Sequence, residues 1–255
     1  MSDFYQKLTQ GVLVAGSIIA AAPPVWATSF TINSGETVTA AQTLVDGETG
    51  LIESGGFLNT TATSITGGPN TVITNNGTIT TTGDSSVGFS PTGSGNVIIN
   101  NGTVSTSGDG ADGMTDRGTN TLFTNNGSII TTGDAAEGIL TTRNNSVYNN
   151  AGLIDTSGDN SVGIITSGNN EIINNSGTII TRGASAHGIR FNASASETLT
   201  ITNSGTIRTQ GASSAGITVN RSAAITNSGL ISAEQSATAA IIGSNEADTL
   251  NLLSG

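Results

Sequence analysis

The residues of this chain best suited to chemistry are four aspartates that recur every 25 positions, each directly after a glycine. They are Asp84, Asp109, Asp134 and Asp159. If they stack about 4.8 Å apart, as equivalent residues of paired strands do, their carboxylates repel one another, and an oxygen-seeking Ca²⁺ ion would relieve the repulsion. The alternative is structural, because an Asp in a turn hydrogen-bonds its own backbone. The series stops after four members and lacks the G-G-x-G-x-D spacing of calcium-binding repeats, so we predict neither a metal nor another cofactor.

Two further features bear on catalysis. Asp109, Asp112 and Asp116 with Arg117 form the best local cluster for cleaving a polysaccharide, a reaction that acidic groups beside an arginine can perform. His187 is the only histidine, and no G-x-S-x-G elbow accompanies it, so we interpret it as a solvated turn residue. No motif supports either role, and we predict that the chain is not an enzyme.

Charge restricts the partners. Arginines of two adjacent repeats and the start of the next could form a weakly basic patch for an anionic glycan; they are Arg182, Arg190, Arg208 and Arg221. The chain as a whole carries a net charge of -11 and has no basic stripe of the kind that binds nucleic acid. It contains no Cys, which excludes disulfides and thiolate metal sites.

The composition excludes a broad core of large side chains. Aromatic residues make up 4% of the 255 residues and charged residues 10%, whereas 35 residues are Gly. A disordered chain usually combines low hydrophobicity with high charge, but here 35% of the residues are hydrophobic and regularly spaced. These numbers favour a thin core that is stacked along one axis.

An internal repeat sets the architecture. Triplets of the type NNG, NAG or NSG place one glycine per repeat, at Gly77, Gly102, Gly127, Gly152, Gly177, Gly205 and Gly229. Two residues before each glycine stands an asparagine: Asn75, Asn100, Asn125, Asn150, Asn175, Asn203 or Asn227. Apolar residues, mostly β-branched, occupy the positions four before, two after and twelve after the glycine. Each repeat therefore predicts three short strands joined by tight turns.

Two folds fit such strands. The Asn-Gly pairs are hairpin signals and would suit an antiparallel meander. A parallel β-helix explains better why the same residue types return every 25 positions, because each residue then stacks on its counterpart. We predict an all-β chain that forms a single-stranded parallel β-helix (β-solenoid) of about seven to nine coils, with the asparagines as a structural ladder at one corner.

The chain divides into four segments. Residues 1–27 are predicted to be a signal peptide, because an apolar run from Gly11 to Ala22 precedes two prolines and a cleavage site after Ala27. Residues 28–70 are predicted to form an N-terminal cap and first irregular coils, and residues 71–243 seven repeats. Residues 244–255 would begin an incomplete further coil, which suggests that relatives continue beyond it.

Three features carry a resemblance to a known family: the repeat N-[NSA]-G-x-[IV]-x-[TA], the segment FTINSGETVTAAQTLVDGETGLIESGGFLN and the tail DTLNLLSG. Over residues 28–255 the chain resembles autotransporter (type V secretion) passenger domains. The resemblance implies a right-handed β-helix that crosses the periplasm and is displayed on, or released from, a Gram-negative cell. The chain departs from that family because it has no C-terminal translocator barrel. Attachment to a membrane would then occur only through the missing translocator barrel.

These observations lead to one function and one alternative. We predict an exported, monomeric surface scaffold or adhesin-like stalk, with host-surface molecules, extracellular-matrix molecules or glycans as partners. The alternative is a free secreted β-helical protein that binds or cleaves polysaccharide. An enzyme needs carboxylates and arginine that converge in a groove, whereas a scaffold shows them scattered.

Overall fold

The chain forms a parallel β-solenoid. The structure, a computed structural model, describes residues 29–193, 198–235, 240–244 and 248–253, and the predicted signal peptide lies outside these residues. All the regular elements within the described ranges are β-strands, which confirms the all-β prediction.

The strands are short and evenly distributed. The first fourteen are β1 (Phe30–Ile32), β2 (Thr37–Val38), β3 (Gln42–Leu44), β4 (Thr49–Ile52), β5 (Phe57–Thr60), β6 (Ile65–Gly67), β7 (Val72–Asn75), β8 (Thr78–Thr81), β9 (Phe89–Ser94), β10 (Val97–Asn100), β11 (Thr103–Thr106), β12 (Met114–Thr119), β13 (Leu122–Asn125) and β14 (Ser128–Thr131). The others are β15 (Ile139–Thr141), β16 (Val147–Asn150), β17 (Leu153–Thr156), β18 (Ile164–Thr166), β19 (Glu171–Asn175), β20 (Thr178–Thr181), β21 (Ile189–Phe191), β22 (Leu199–Asn203), β23 (Thr206–Thr209), β24 (Ile217–Val219), β25 (Ala223–Asn227), β26 (Leu230–Ala233), β27 (Ile241–Ile242) and β28 (Thr249–Leu252).

Three parallel sheets run along the solenoid, and each coil contributes one strand to each sheet. Sheet 1 has the order β1-β4-β7-β10-β13-β16-β19-β22-β25-β28, sheet 2 runs from β2 to β26 in steps of three strands, and sheet 3 runs from β3 to β27 in the same way. The described strands thus make nine three-strand coils followed by β28. The parallel coil is confirmed, the antiparallel meander is wrong, and the right hand of the coil stays a prediction.

The register follows the sequence repeat. Ile98 pairs with Ile73 in the coil before and with Phe123 in the coil after, each 25 positions away. The first coils are shorter, since Phe30 pairs with Gly50, 20 positions later. Strands β1–β6 already belong to the same three sheets as the later repeats.

The core is a narrow stack of aliphatic side chains. Within each strand, alternate residues point inward, and the three predicted apolar columns occupy those positions. In one coil they are Ile98, Val104 and Met114, all fully buried. Burial decreases at the last described coils, where Ile231 and Ile241 are only partly buried.

Glycine is required where the backbones of successive coils touch. A Cβ atom on Gly127 would lie 2.0 Å from the carbonyl oxygen of Gly102 in the preceding coil. No side chain is compatible with that approach without a shift of the backbone. This contact explains why the glycine of the Asn-x-Gly triplet recurs without exception.

Candidate functional site

The predicted asparagine ladder is present, and all its members except the half-buried Asn227 are buried. Nδ2 of each asparagine donates to Oδ1 of the asparagine one coil later, over distances of 2.6–2.8 Å from Asn75 to Asn227. A second donation from Nδ2 reaches a backbone carbonyl of the following coil, as from Asn125 to Leu153 at 3.0 Å. The side chains lie at the last inward position of the sheet 1 strands, so their amide groups form hydrogen bonds with one another at the corner between sheets 1 and 2. Their role is structural.

The aspartate column lies on the surface, and its carboxylates join successive turns. Asp84 Oδ1 accepts a hydrogen bond from the backbone nitrogen of Asp109 at 3.2 Å, and the same contact repeats from Asp109 to Asp134 and from Asp134 to Asp159. The expected bond to the residue's own turn is replaced by one to the next coil. Among the described residues, no group of three or more His, Cys, Asp or Glu side chains is placed to hold a metal.

The arginines do not form one basic patch. Arg182 makes a two-point ion pair with Asp155, with Nη2 at 2.7 Å from Oδ2 and Nε at 3.0 Å from Oδ1. Arg208 pairs with Glu234 on the same side of the solenoid. Arg190 belongs to β21 and therefore lies in sheet 3. Arg221 lies between β24 and β25, where its Nη1 donates a 2.8 Å hydrogen bond to the backbone oxygen of Asn220. Carboxylates thus pair with two of the four arginines, and the other two belong to other parts of the coil.

The predicted cluster around Arg117 does not converge either. Asp109 and Arg117 are exposed, whereas Asp112 and Asp116 are buried. Asp116 follows the inward-pointing Met114 by two residues, so its carboxyl enters the interior. These four residues therefore do not form the cluster that polysaccharide cleavage would need, because two of the side chains are buried and two are exposed.

A different carboxyl pair lies at the corner between sheets 2 and 3. Asp112 accepts hydrogen bonds from Thr115 Oγ1 at 2.5 Å and from the backbone nitrogen of Glu137, one coil later, at 2.9 Å. Burial, together with a hydrogen bond to Asp112 and the negative charge of Asp112, raises the pKa of Glu137 to about 8. Burial also raises the pKa of Asp112. The pair therefore retains a proton at neutral pH.

His187 occupies the same position of a later repeat as Asp112 and Glu137. Its Nδ1 accepts a 2.9 Å hydrogen bond from the backbone nitrogen of Ala215. Burial and the nearby charge of Arg190 lower the pKa of the imidazole, and the bond from Ala215 requires an unprotonated Nδ1. The interpretation as a solvated turn residue is wrong, since the ring is half-buried and links two coils.

A polar cluster lies in the interior, at the corner between sheets 3 and 1. It consists of Asp116, Thr141, Tyr148 and Glu171, each no more than 1% exposed. The Tyr148 hydroxyl donates a 2.6 Å hydrogen bond to Asp116 Oδ2. Burial is the main cause that raises the pKa of Asp116, and burial raises that of Glu171 to about 8. No arginine of the described residues forms an ion pair with either carboxyl.

Neither the pair of Asp112 and Glu137 nor the interior polar cluster was predicted from the sequence, although the sequence contains a signal for Glu171. The position six before the repeat glycine is Asn96, Thr121 or Ser146 in three repeats and Glu171 in the next. A carboxyl group in a column of small neutral residues indicates a local change of chemistry. Such a departure becomes visible only after the repeats are aligned.

Comparison with known proteins adds no relative: no family model, no curated protein and no solved structure matches the chain. Within the part of the chain that the structure describes, no helix is long and apolar enough to cross a membrane.

Proposed function

We propose that the chain is an exported, passenger-like β-helical surface scaffold or adhesin-like stalk of a Gram-negative autotransporter, without catalysis. The observation that carries the proposal is the unbroken stack of coils, in which every strand pairs only with its counterparts in the coils before and after it. Solenoids of this kind gain their stability from nearest-neighbour contacts. Nine coils about 4.8 Å apart give a rod on the order of 40 Å long.

The outward positions support a displayed surface that is free to vary. One outward column of sheet 2 changes from coil to coil in polarity and charge, in the order Thr80, Ser105, Ile130, Asp155, Ile180 and Arg208. The inward columns beside it stay aliphatic. A surface that varies over a constant core suits a stalk that carries contacts for host-surface molecules, matrix molecules or glycans.

Export and display are tested by joining the full chain to a translocator barrel in a Gram-negative host. We expect cleavage after Ala27, recovery in the outer-membrane fraction, and removal of the chain by a protease added to intact cells. A matched control replaces Leu13 and Ile18 by Arg, which interrupts the apolar run. An uncleaved chain that stays in the cytoplasm would refute export. Displaying cells that adhere to matrix proteins and glycans no better than control cells would refute the adhesin role.

A second candidate function, binding or cleavage of polysaccharide, rests on Asp112 and Glu137. General acid and base groups are commonly carboxyls whose pKa values the environment has shifted, and Glu137 keeps a proton at neutral pH. The purified chain is incubated with acidic and neutral polysaccharides, and newly formed sugar ends are measured. Product that disappears in both Asp112→Asn and Glu137→Gln supports this candidate, and the absence of product from the unmodified chain rejects cleavage.

A further inference from the structure

The outer surface of sheet 1 carries a straight column of aliphatic side chains, one from each of five successive coils. This aliphatic column consists of Val72, Val97, Leu122, Val147 and Ile172, which pair directly with one another from β7 to β19. Val72, Leu122 and Ile172 are 38–42% exposed. Isolated apolar residues on a surface need no explanation, whereas a contiguous apolar patch marks an interaction site.

The fold itself does not require aliphatic residues at these positions. In coils before and after the aliphatic column, the same outward position of sheet 1 is occupied by Thr49 and Thr200. Threonine has the branched shape of valine and suits a strand equally well. Strand pairing would therefore be served by threonine throughout, and the five aliphatic residues need a reason outside the coil to which they belong.

Sheet 1 is also uncharged on its outer surface. Beside the aliphatic column runs a second outward column that contains Asn149 and Asn174, whose neutral amides are hydrogen-bonded at 2.9 Å. Among the described strands of sheet 1 from β7 to β25, no outward side chain carries a charge. The other two sheets differ in this respect, since Asp155 points outward from sheet 2 and Arg190 from sheet 3.

The charge of the chain indicates which partner fits this surface. A net charge of -11 opposes the approach of two copies, and this repulsion is smallest where both copies present an uncharged face. A basic partner would instead be attracted to acidic surfaces such as the aspartate column. The outer surface of sheet 1 can meet its own counterpart without burying a charge, and such self-complementary contact is the basis of a two-fold symmetric pair.

The size of the face is sufficient for a reversible pair. Sheet 1 has ten strands, and a typical strand such as β7 has four residues. With strands about 4.8 Å apart and about 3.3 Å per residue along a strand, the face covers on the order of 600 Å². Two such faces bury about 1,200 Å² in total, which is the lower end of the range for specific protein pairs. Association should therefore depend on protein concentration.

We propose that the outer surface of sheet 1 is an interface at which two copies of the chain pair face to face, with the middle residue of the aliphatic column, Leu122, opposite Leu122 of the second copy. Two sheets packed in this way lie about 10 Å apart, and their side chains interdigitate. The pairing goes beyond the proposed function and does not depend on export. It differs from the monomer predicted from the sequence, because the spacing of the repeat did not show that these side chains share one uncharged face.

A charge in the middle of the aliphatic column tests the interface. Sedimentation velocity of the full chain over a series of concentrations should show a monomer–dimer equilibrium. Leu122→Asp should raise the dissociation constant by about tenfold or more, because the symmetry places two carboxylates opposite each other. Ile130→Asp is the matched control, since Ile130 points outward from sheet 2 in the same coil and its counterpart in the next coil is Asp155. Both variants should retain the circular dichroism spectrum of the parent, because both side chains point outward.

Ionic strength gives a second measurement that does not depend on a substitution. Salt screens the repulsion between two negatively charged chains, so the dissociation constant of the parent should fall as salt is added. An association that depends on ion pairs, such as those of Arg182 and Arg208, would instead become weaker in salt.

Four results would overturn the proposal. They are a parent chain that stays monomeric over the whole series, a dissociation constant that Leu122→Asp leaves unchanged, an equal loss of association in Ile130→Asp, and a dimer that salt weakens. Association through the apolar run of residues 11–22 would be recognised in the same way, because every variant contains that run and it would survive Leu122→Asp.

Discussion

Asn125 Nδ2 lies 2.8 Å from Asn150 Oδ1, and both amides are almost completely excluded from water. The amide of Asn125 also accepts a hydrogen bond from Asn100 in the preceding coil. Each rung of the ladder therefore satisfies a buried donor and a buried acceptor that belong to neighbouring coils.

Replacing Asn125 by Ala is expected to destabilise the chain more than the loss of one ordinary contact would. The change leaves Asn150 Oδ1 without its donor and removes one of the two hydrogen bonds that Asn100 Nδ2 donates. A buried polar atom left unsatisfied costs about 1–3 kcal/mol. Asn126→Ala is the control, because Asn126 is exposed and bonded only to the outer amide of Asn101. Denaturant unfolding measures both variants. Equal losses of stability would show that the buried ladder stabilises the chain no more than the exposed contact between Asn126 and Asn101 does.

The backbone at Ala135 is strained, and its replacement by Gly is expected to stabilise the chain. Ala135 has a φ of 48°, in the left-handed region that favours glycine, and the equivalent residue of the preceding coil is Gly110 with a φ of 64°. Relief of this strain is worth about 1 kcal/mol, less the greater entropy of an unfolded chain with an added glycine. Ala136→Gly is the neighbouring control and should destabilise, because Ala136 is buried in the core. A lower melting temperature for Ala135→Gly would contradict the strain.

The asparagine ladder and the three apolar columns could be predicted because the repeat itself encodes them. A residue type that returns in register must stack on itself in a parallel coil, so identity and position come together. The interior cluster could not be found in the same way. Asp116 was grouped with Asp112 by proximity in sequence, although its position two residues after Met114 already placed it on the inward face. Glu171 and Tyr148 each differ from the other residues of their columns. Only the three-dimensional structure shows that the two side chains meet at one corner.

The proton held by Asp112 and Glu137 makes stability depend on pH. The pKa of Glu137 rises from 4.5 to about 8 on folding, so between these values the folded chain binds more protons than the unfolded chain. The free energy of unfolding should then fall as pH rises from about 4.5 to 8, by less than about 1.4 kcal/mol per pH unit, the limit for one proton. Above that range the slope from this group disappears.

Glu137→Gln should reduce this slope by the contribution of one proton, because the amide has no proton to lose, whereas the contribution of Glu171, whose pKa is also raised to about 8, should remain. Glu234→Gln is the control: its hydrogen bond with Arg208 lowers the pKa of Glu234, so this group titrates in more acid solution. Chemical unfolding at a series of pH values measures both variants. An unchanged slope in Glu137→Gln would show that the carboxyl pair does not hold the proton.

The hydrogen bond between Tyr148 and Asp116 joins neighbouring coils through the interior, and Tyr148→Phe should weaken that connection. Phenylalanine fits the position, because Phe123 occupies the same column one coil earlier and is fully buried. Loss of a hydrogen bond to a charged group costs about 1.5–3 kcal/mol. A double-mutant cycle with Asp116→Asn separates this interaction from packing. We expect the two changes to be non-additive in unfolding free energy, because each alters the same bond: Tyr148→Phe removes the donor, and Asp116→Asn replaces the carboxylate acceptor. Strict additivity would mean that the Tyr148 hydroxyl contributes to stability through contacts other than Asp116.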